Sequence, residues 1–267
     1  MTPSVALTIA GSDSGGGAGI QADLKTFAAL HVFGTCAITA VTAQNTAEVR
    51  AVHPLPTDIV RQQIEAVLDD FSVRAVKTGM LATAEIVELV ADLGDAGRLP
   101  NLVVDPVMVS SSGARLLDAA AEEGYLERLL PAATVFTPNL FEAGVLLKCD
   151  VRSPEDQVAA ARELATRTRG VVVVKGGHAE GDAVDVVCVG DVITELRASR
   201  VATSNNHGSG CSFASATAAL LARGLSRPDA LPQAKKFVHR AIEGAARWDL
   251  GSGHGPLDHF HWEEQHG

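Results

Sequence analysis

Apolar residues recur along this chain with two alternating periods, and the alternation predicts the fold. Short β-branched runs at Val5–Ala10, Thr35–Val41, Ala75–Thr78, Leu102–Asp105, Thr134–Thr137 and Val171–Lys175 read as strands. Several are apolar on both faces, the pattern of a central parallel strand covered by helices above and below. Helix-period segments lie between them. One opens at Thr57-Asp58 and places Ile59, Ile64, Val67, Leu68 and Phe71 on one side; another is capped by Thr83 and carries Ile86, Val87, Val90 and Leu93. Ser153-Pro154-Glu155-Asp156 joins an N-cap, a proline at the first helical position and acids facing the helix dipole. Val184–Val189 and Val192–Leu196, separated by Gly190-Asp191, predict a hairpin at one sheet edge. Cys211–Arg223 and Pro228–Trp248 read as the closing helices. The expected fold class is α/β: right-handed βαβ units in a mostly parallel central sheet, helices on both faces, and an antiparallel edge hairpin. With no Pro/Ser-rich stretch, low-complexity block or long charge run to separate two cores, residues 1–267 are expected to form a single domain.

Charge narrows the choice of partners. The chain carries 32 acids against 22 bases, a formal charge of −10, and no basic stripe, so a nucleic acid or an anionic membrane finds no electrostatic footprint. Any phosphate must therefore be held locally, by loops and a few cations. No apolar stretch approaches the roughly 18 residues of a membrane span, and the first residues lack the positive region of a signal peptide, so the expected location is the cytoplasm. The four cysteines, Cys36, Cys149, Cys188 and Cys211, form no C-x-x-C pair and are expected to be free thiols there.

Three sets of residues carry candidate chemistry. Gly11-Ser12-Asp13-Ser14-Gly15-Gly16-Gly17-Ala18-Gly19 follows a strand and opens a helix, yet neither G-x-G-x-x-G nor a Walker lysine can be threaded onto it. It is either a flexible turn or a glycine floor that lets a small flat ligand approach the backbone. His207-Gly208-Ser209-Gly210-Cys211 precedes a helix rich in small residues. Its backbone N–H groups and the positive helix end would form an anion hole and favour the thiolate of Cys211; otherwise it is a glycine-rich cap with an inert thiol. Asp105, Asn139 with Glu142, and Lys175 each lie at the carboxyl end of a strand, where open α/β sheets bind ligands. Two acids can recruit Mg²⁺ and a lysine can neutralise phosphate. Each acid is also what a solvated loop or a helix cap would carry.

Together these segments resemble a known family. Thr8 to Asp23, Thr42-Ala43-Gln44-Asn45-Thr46, Lys77-Thr78-Gly79-Met80-Leu81, Asp105-Pro106-Val107-Met108, Thr137-Pro138-Asn139-Leu140-Phe141-Glu142-Ala143, Lys175-Gly176-Gly177-His178 and Asn206 to Cys211 occur in the order found in the hydroxymethylpyrimidine/phosphomethylpyrimidine kinases of thiamin biosynthesis. The resemblance runs on to Gly253-His254-Gly255-Pro256-Leu257-Asp258-His259-Phe260 and so covers almost the whole chain. It implies a ribokinase-like fold, Mg²⁺ with ATP as phosphoryl donor, and 4-amino-5-hydroxymethyl-2-methylpyrimidine and its monophosphate as successive acceptors. Carried onto these positions, Gln44 and Asp23 would read the polar edge of the pyrimidine, and Met80, Val107 and the Gly11 backbone would line its pocket. Gly208, Ser209 and Gly210 would form the anion hole, with Cys211 as base. Lys175, Asn139 and Glu142 would face the phosphates of ATP, and Asp105 and Glu142 would hold Mg²⁺. A homodimer is expected.

Two positions depart from the family pattern. Ser110-Ser111-Ser112-Gly113-Ala114 stands where many relatives carry a lysine, and Phe141 replaces a second proline. Ser110 to Arg115, without an apolar anchor, is expected to act as a lid. The tail histidines His254, His259, His261 and His266 are assigned to structure or surface rather than to metal. A pyridoxal-type vitamin kinase and a non-catalytic pyrimidine sensor are the competing functions.

Overall fold

The computed structural model describes residues 2–109, 116–117, 121–177 and 181–261. In chain order the elements are β1 (Val5–Asp13), α1 (Gly19–Ala29), β2 (Phe33–Gln44), β3 (Val49–Pro54), α2 (Thr57–Asp70), β4 (Val73–Thr78), α3 (Ala84–Asp95) and β5 (Val103–Val104). There follow α4 (Ala121–Gly124), a π-helical turn (Tyr125–Leu129), α5 (Leu130–Ala132), β6 (Val135–Phe136), α6 (Leu140–Leu147), α7 (Pro154–Ala165) and β7 (Val171–Val174). The chain closes with β8 (Ala183–Val189), β9 (Val192–Ala198), α8 (Ser209–Ala222) and α9 (Arg227–Ala245).

One nine-stranded sheet runs in the order β3-β2-β1-β4-β5-β6-β7-β8-β9. Strands β2 through β7 in that order are parallel, while β3 and the β8–β9 hairpin are antiparallel. The parallel strands are apolar on both faces because both are covered. Leu7, Ile9, Val76, Val104, Phe136 and Val172 pack with α2, α3, α6 and α7; Ala6, Ala75, Val103, Val135 and Val171 pack with α1, α8 and α9. Helix α8 is buried from Ser212 to Ala222, which its run of small residues permits, and its N-terminus comes up at the carboxyl edge of the sheet. The chain leaves β1 toward β2 on one side and returns as β4 on the other. That reversal opens a crevice at the carboxyl ends of β1 and β4, the usual ligand position in such sheets.

Several local expectations are corrected. Strand β2 continues to Gln44, and β3 forms a second antiparallel edge that the sequence pattern does not mark, since all but one of its residues are exposed and no alternation arises. On α2, Val60 and Ile64 are buried, whereas Ile59 and Phe71 are exposed and Phe71 stacks on Phe33. Helix α8 starts at Ser209, two residues before the expected Cys211, so Cys211 is the third residue of its first turn. Among the described residues no helix is long and apolar enough to cross a membrane.

Candidate active site

The carboxyl ends of the strands open into a cavity of about 1370 Å³. Its walls bring together Gln44, Met80, Asp105, Val107, Asn139, Glu142, Lys175 and the Gly208–Cys211 turn, residues spread over more than 160 positions of sequence. At one end Met80 and Val107 join Ala40, Ala82 and Leu116 in a small apolar cluster separate from the two main cores. Gly11 lies under this wall: a Cβ there would come within 2.9 Å of the Met80 methyl, so the bare backbone is what lets Met80 lie flat.

Gln44 stands beside that cluster. Its backbone is clamped by Ser14, whose hydroxyl donates to the Gln44 carbonyl and accepts from its amide. Its side-chain oxygen accepts from Thr42, and its nitrogen lies 3.4 Å from His207 Nε2. The glycine loop next to it is held by Asp13, whose carboxylate accepts from the amides of Gly15, Gly17 and Ala18 and meets His207 Nε2 at 3.0 Å. Burial alone would raise the Asp13 pKa; the His207 bond and the amides outweigh it and hold the carboxylate below its usual range.

The anion turn closes against this loop. Gly208 has φ 83°, and a Cβ there would overlap the carbonyl of Gly17, so both conformation and contact require glycine. The Ser209 amide donates to the Asn206 carbonyl. Among the described residues the amides of Gly210 and Cys211 have no backbone partner, so these two, and not the Ser209 amide, are free to meet an anion. Lys175 Nζ lies 2.6 Å from Asp105 Oδ1, which also accepts from Thr137, and both charged groups sit over Gly210. Burial would discharge Lys175, but Asp105 and Glu142 raise its pKa and keep the ammonium. Burial and Asp105 push the Glu142 carboxyl up to about 7 against the pull of Lys175.

Asn139 and Glu142 form the capping box of α6: Asn139 Oδ1 accepts from the Glu142 amide and Glu142 Oε2 accepts from the Asn139 amide. They line the cavity as well, so cap and candidate site coincide. Among the described residues no group of three or more His, Cys, Asp or Glu side chains is arranged to hold a metal. Asp105 and Glu142 alone match what Mg²⁺ asks of a protein when nucleotide phosphates and water supply the remaining oxygens.

Two sequence assignments are overturned. Asp23 does not read a ligand edge: it is fully buried, accepts from Lys77, Thr8 and Ser215, and lies outside the cavity wall. Cys211 is pushed toward its neutral thiol form. Burial pushes its thiol up to about 11, with Asp23 and Asp105 adding to the effect, against Lys77 and the Gly19 amide. The proposed lid at 110–115, together with His178 and His266, lies outside the described residues.

The sequence reading missed part of the wall. Lys235, Val238, His239 and Ile242 line the cavity from α9, at the helical spacing of one face. Periodicity shows such a face but not what it borders. Asp13 and His207 also lie in segments already singled out; Asp13 two residues before Gly15 was the available signal, an Asx turn that gathers loop amides.

A family model described as phosphomethylpyrimidine kinase matches residues 13–258. The chain belongs to the phosphomethylpyrimidine kinase family. It is 47% identical to the hydroxymethylpyrimidine/phosphomethylpyrimidine kinase of Rhizobium meliloti, covering 97% of this chain and 99% of that one. A chloroplastic thiamine biosynthetic bifunctional enzyme of Arabidopsis thaliana is 48% identical over 95% of this kinase and 49% of its own length. The pyridoxal kinase of Staphylococcus aureus, solved in complex with AMP-PCP and pyridoxal, superposes with a TM-score of 0.90 at 38% identity, covering 99% of this chain and 96% of that one. The kinase thus has the ribokinase-like fold, and its function is that of a pyrimidine kinase of thiamin biosynthesis.

Proposed function

We propose that this kinase transfers the γ-phosphoryl group of ATP to the hydroxymethyl oxygen of 4-amino-5-hydroxymethyl-2-methylpyrimidine, and a second phosphoryl group to the resulting monophosphate. One observation carries the reading: the two free amides of the α8 turn and the Lys175–Asp105 pair share a cavity with Gln44 and the Met80 wall. Phosphoryl transfer asks a protein mainly for positioning and for stabilisation of charge on the transferred group. Met80 and Val107 would hold the flat ring, and the Gln44 amide, with a donor and an acceptor, would bond its amino edge. The Gly210 and Cys211 amides and Lys175 would meet the charge that develops on phosphate. Cys211 rests mainly as the thiol, and only its minority thiolate form would take the hydroxyl proton as the oxygen bonds to phosphorus and the bond to the departing ADP oxygen breaks. The second acceptor is already an anion, so this step needs no such proton acceptor. Mg²⁺ brought with ATP would be held by Asp105 and Glu142 and would neutralise the donor phosphates.

The whole chain would act as one domain, in keeping with its single sheet. Four free thiols and the lack of a polyanion footprint suit the cytoplasm. A homodimer is supported by apolar side chains left exposed along β2 and α2, namely Phe33, Val41, Ile59 and Phe71.

The likeness to a pyridoxal-bound kinase favours a second reading in which pyridoxal is also an acceptor. ATP consumption measured with the pyrimidine alcohol and with pyridoxal side by side separates the two. The pyrimidine should be turned over with the higher kcat/KM, and a preference for pyridoxal would overturn the assignment. Gln44→Ala should raise KM for the pyrimidine by about tenfold or more, the worth of a ligand edge left unpaired, and leave KM for ATP nearly unchanged. Equal effects on both substrates would remove Gln44 from acceptor recognition.

A further inference from the structure

The tail Gly251-Ser252-Gly253-His254-Gly255-Pro256-Leu257 lies against two loops that serve opposite sides of the reaction. Toward the Gln44 side, the Gly253 amide donates to Thr46 Oγ1 at 3.2 Å and the His254 amide to the Thr46 carbonyl at 3.0 Å. Toward the anion turn, the His207 amide donates to the Gly255 carbonyl at 3.0 Å, and Asn206 Oδ1 meets His254 Nδ1 at 3.1 Å. Asn205 fastens the same turn to the end of α9 by donating to the carbonyls of Ala245 and Trp248. Further on, His259 meets Ser212 at 2.9 Å, one residue beyond Cys211.

The fit leaves no slack. A Cβ at Gly253 would overlap the Thr46 carbonyl, and one at Gly255 would overlap the Asn205 side chain. Alternate glycines therefore allow the tail to approach both loops at backbone distance, with Thr46 two residues past Gln44 and Asn205 three residues before Gly208.

We propose that residues 251–257 form a positioning strap that sets the spacing between the Gln44 loop and the Gly208–Cys211 turn. The acceptor hydroxyl held by one is thereby kept in line with the phosphoryl group held by the other. Although His254 reaches the cavity wall, the strap acts on the two loops through Thr46 and His207. This inference rests on the acceptor role given to Gln44. Its energetic basis is that in-line transfer is steep in distance, a misplacement of about 1 Å costing about 100-fold in rate.

Gly253→Ala in the full chain tests it. Moving the Thr46 carbonyl by the ångström or so that such a Cβ demands should lower kcat for the pyrimidine alcohol about 100-fold, with Kd for Mg-AMP-PCP within about twofold of wild type. Asp249→Asn, at an exposed position outside the strap, should change neither. If Gly253→Ala does not fold, Thr46→Val keeps the volume, removes the bond to Gly253, and should lower kcat about threefold with the same unchanged nucleotide affinity. Wild-type kcat in the folded variant, or kcat and nucleotide affinity falling together with the folded fraction, would overturn the strap. Gln44→Ala run alongside separates the two ideas: a silent Gln44→Ala rejects the acceptor reading, whereas an effective Gln44→Ala beside an inert Gly253→Ala rejects the strap alone.

Discussion

Two lysine–aspartate pairs in this fold are made of the same groups at similar distances and have different fates. Lys77 on β4 meets both oxygens of Asp23 at 2.9 Å, and both residues are fully buried. Thr8 and Ser215 donate to the same carboxylate, so the pair is saturated by β1, β4, α1 and α8. Lys175 meets Asp105 at 2.6 Å, and the lysine keeps 13% of its side-chain surface. Its other ammonium protons have no partner among the described residues and lie at the cavity wall. The closed pair cements strands to helices; the open pair has capacity left for a ligand. Saturation, not residue type or charge, separates the closed pair from the open one here. Cys211 feels the charges of all four residues, so it marks the boundary between the two pairs.

The contrast can be broken from either side. Lys77→Met strands the Asp23 carboxylate in the core and should cost about 3–5 kcal/mol of stability, seen as a large fall in the urea midpoint. A variant as stable as wild type would show that the closed pair is not structural. Lys175→Met leaves the buried Asp105 carboxylate with Thr137 and the open cavity wall, and should cost about 1–3 kcal/mol of stability, less than Lys77→Met. Its kcat should nevertheless fall about 100-fold or more, the usual effect of removing a group that stabilises transition-state charge. If Lys175→Met loses stability as Lys77→Met does while its folded fraction stays fully active, the two pairs have the same role and the distinction fails.

The same contrast explains what the sequence could reveal. The parallel strands, both helix layers and the β8–β9 hairpin were legible because burial on two faces and turn chemistry act locally. Strand β3 was not, because its pairing with β2 leaves it exposed and imposes no pattern. The cavity residues were legible as strand-end motifs, but motif position does not tell which aspartate is sealed. Asp23 sits in a segment as well matched as Asp105; only the arrival of Lys77 and of Ser215, 192 residues away, closes it. The thiolate expectation failed for a related reason, since a helix end is visible in sequence and desolvation is not.

The most direct test follows both phosphorylations by phosphorus NMR in wild type and Cys211→Ala. The thiol lies between the pairs, and only the first acceptor has a proton to lose. The account predicts a loss of about 100-fold or more in the first step and a much smaller loss in the second. With the thiol held at about 11, wild-type kcat/KM for the alcohol should also rise with pH from neutrality toward that value, as the fraction able to accept a proton grows. Equal losses in the two steps, or a first step that is flat with pH and untouched by Cys211→Ala, would contradict the account.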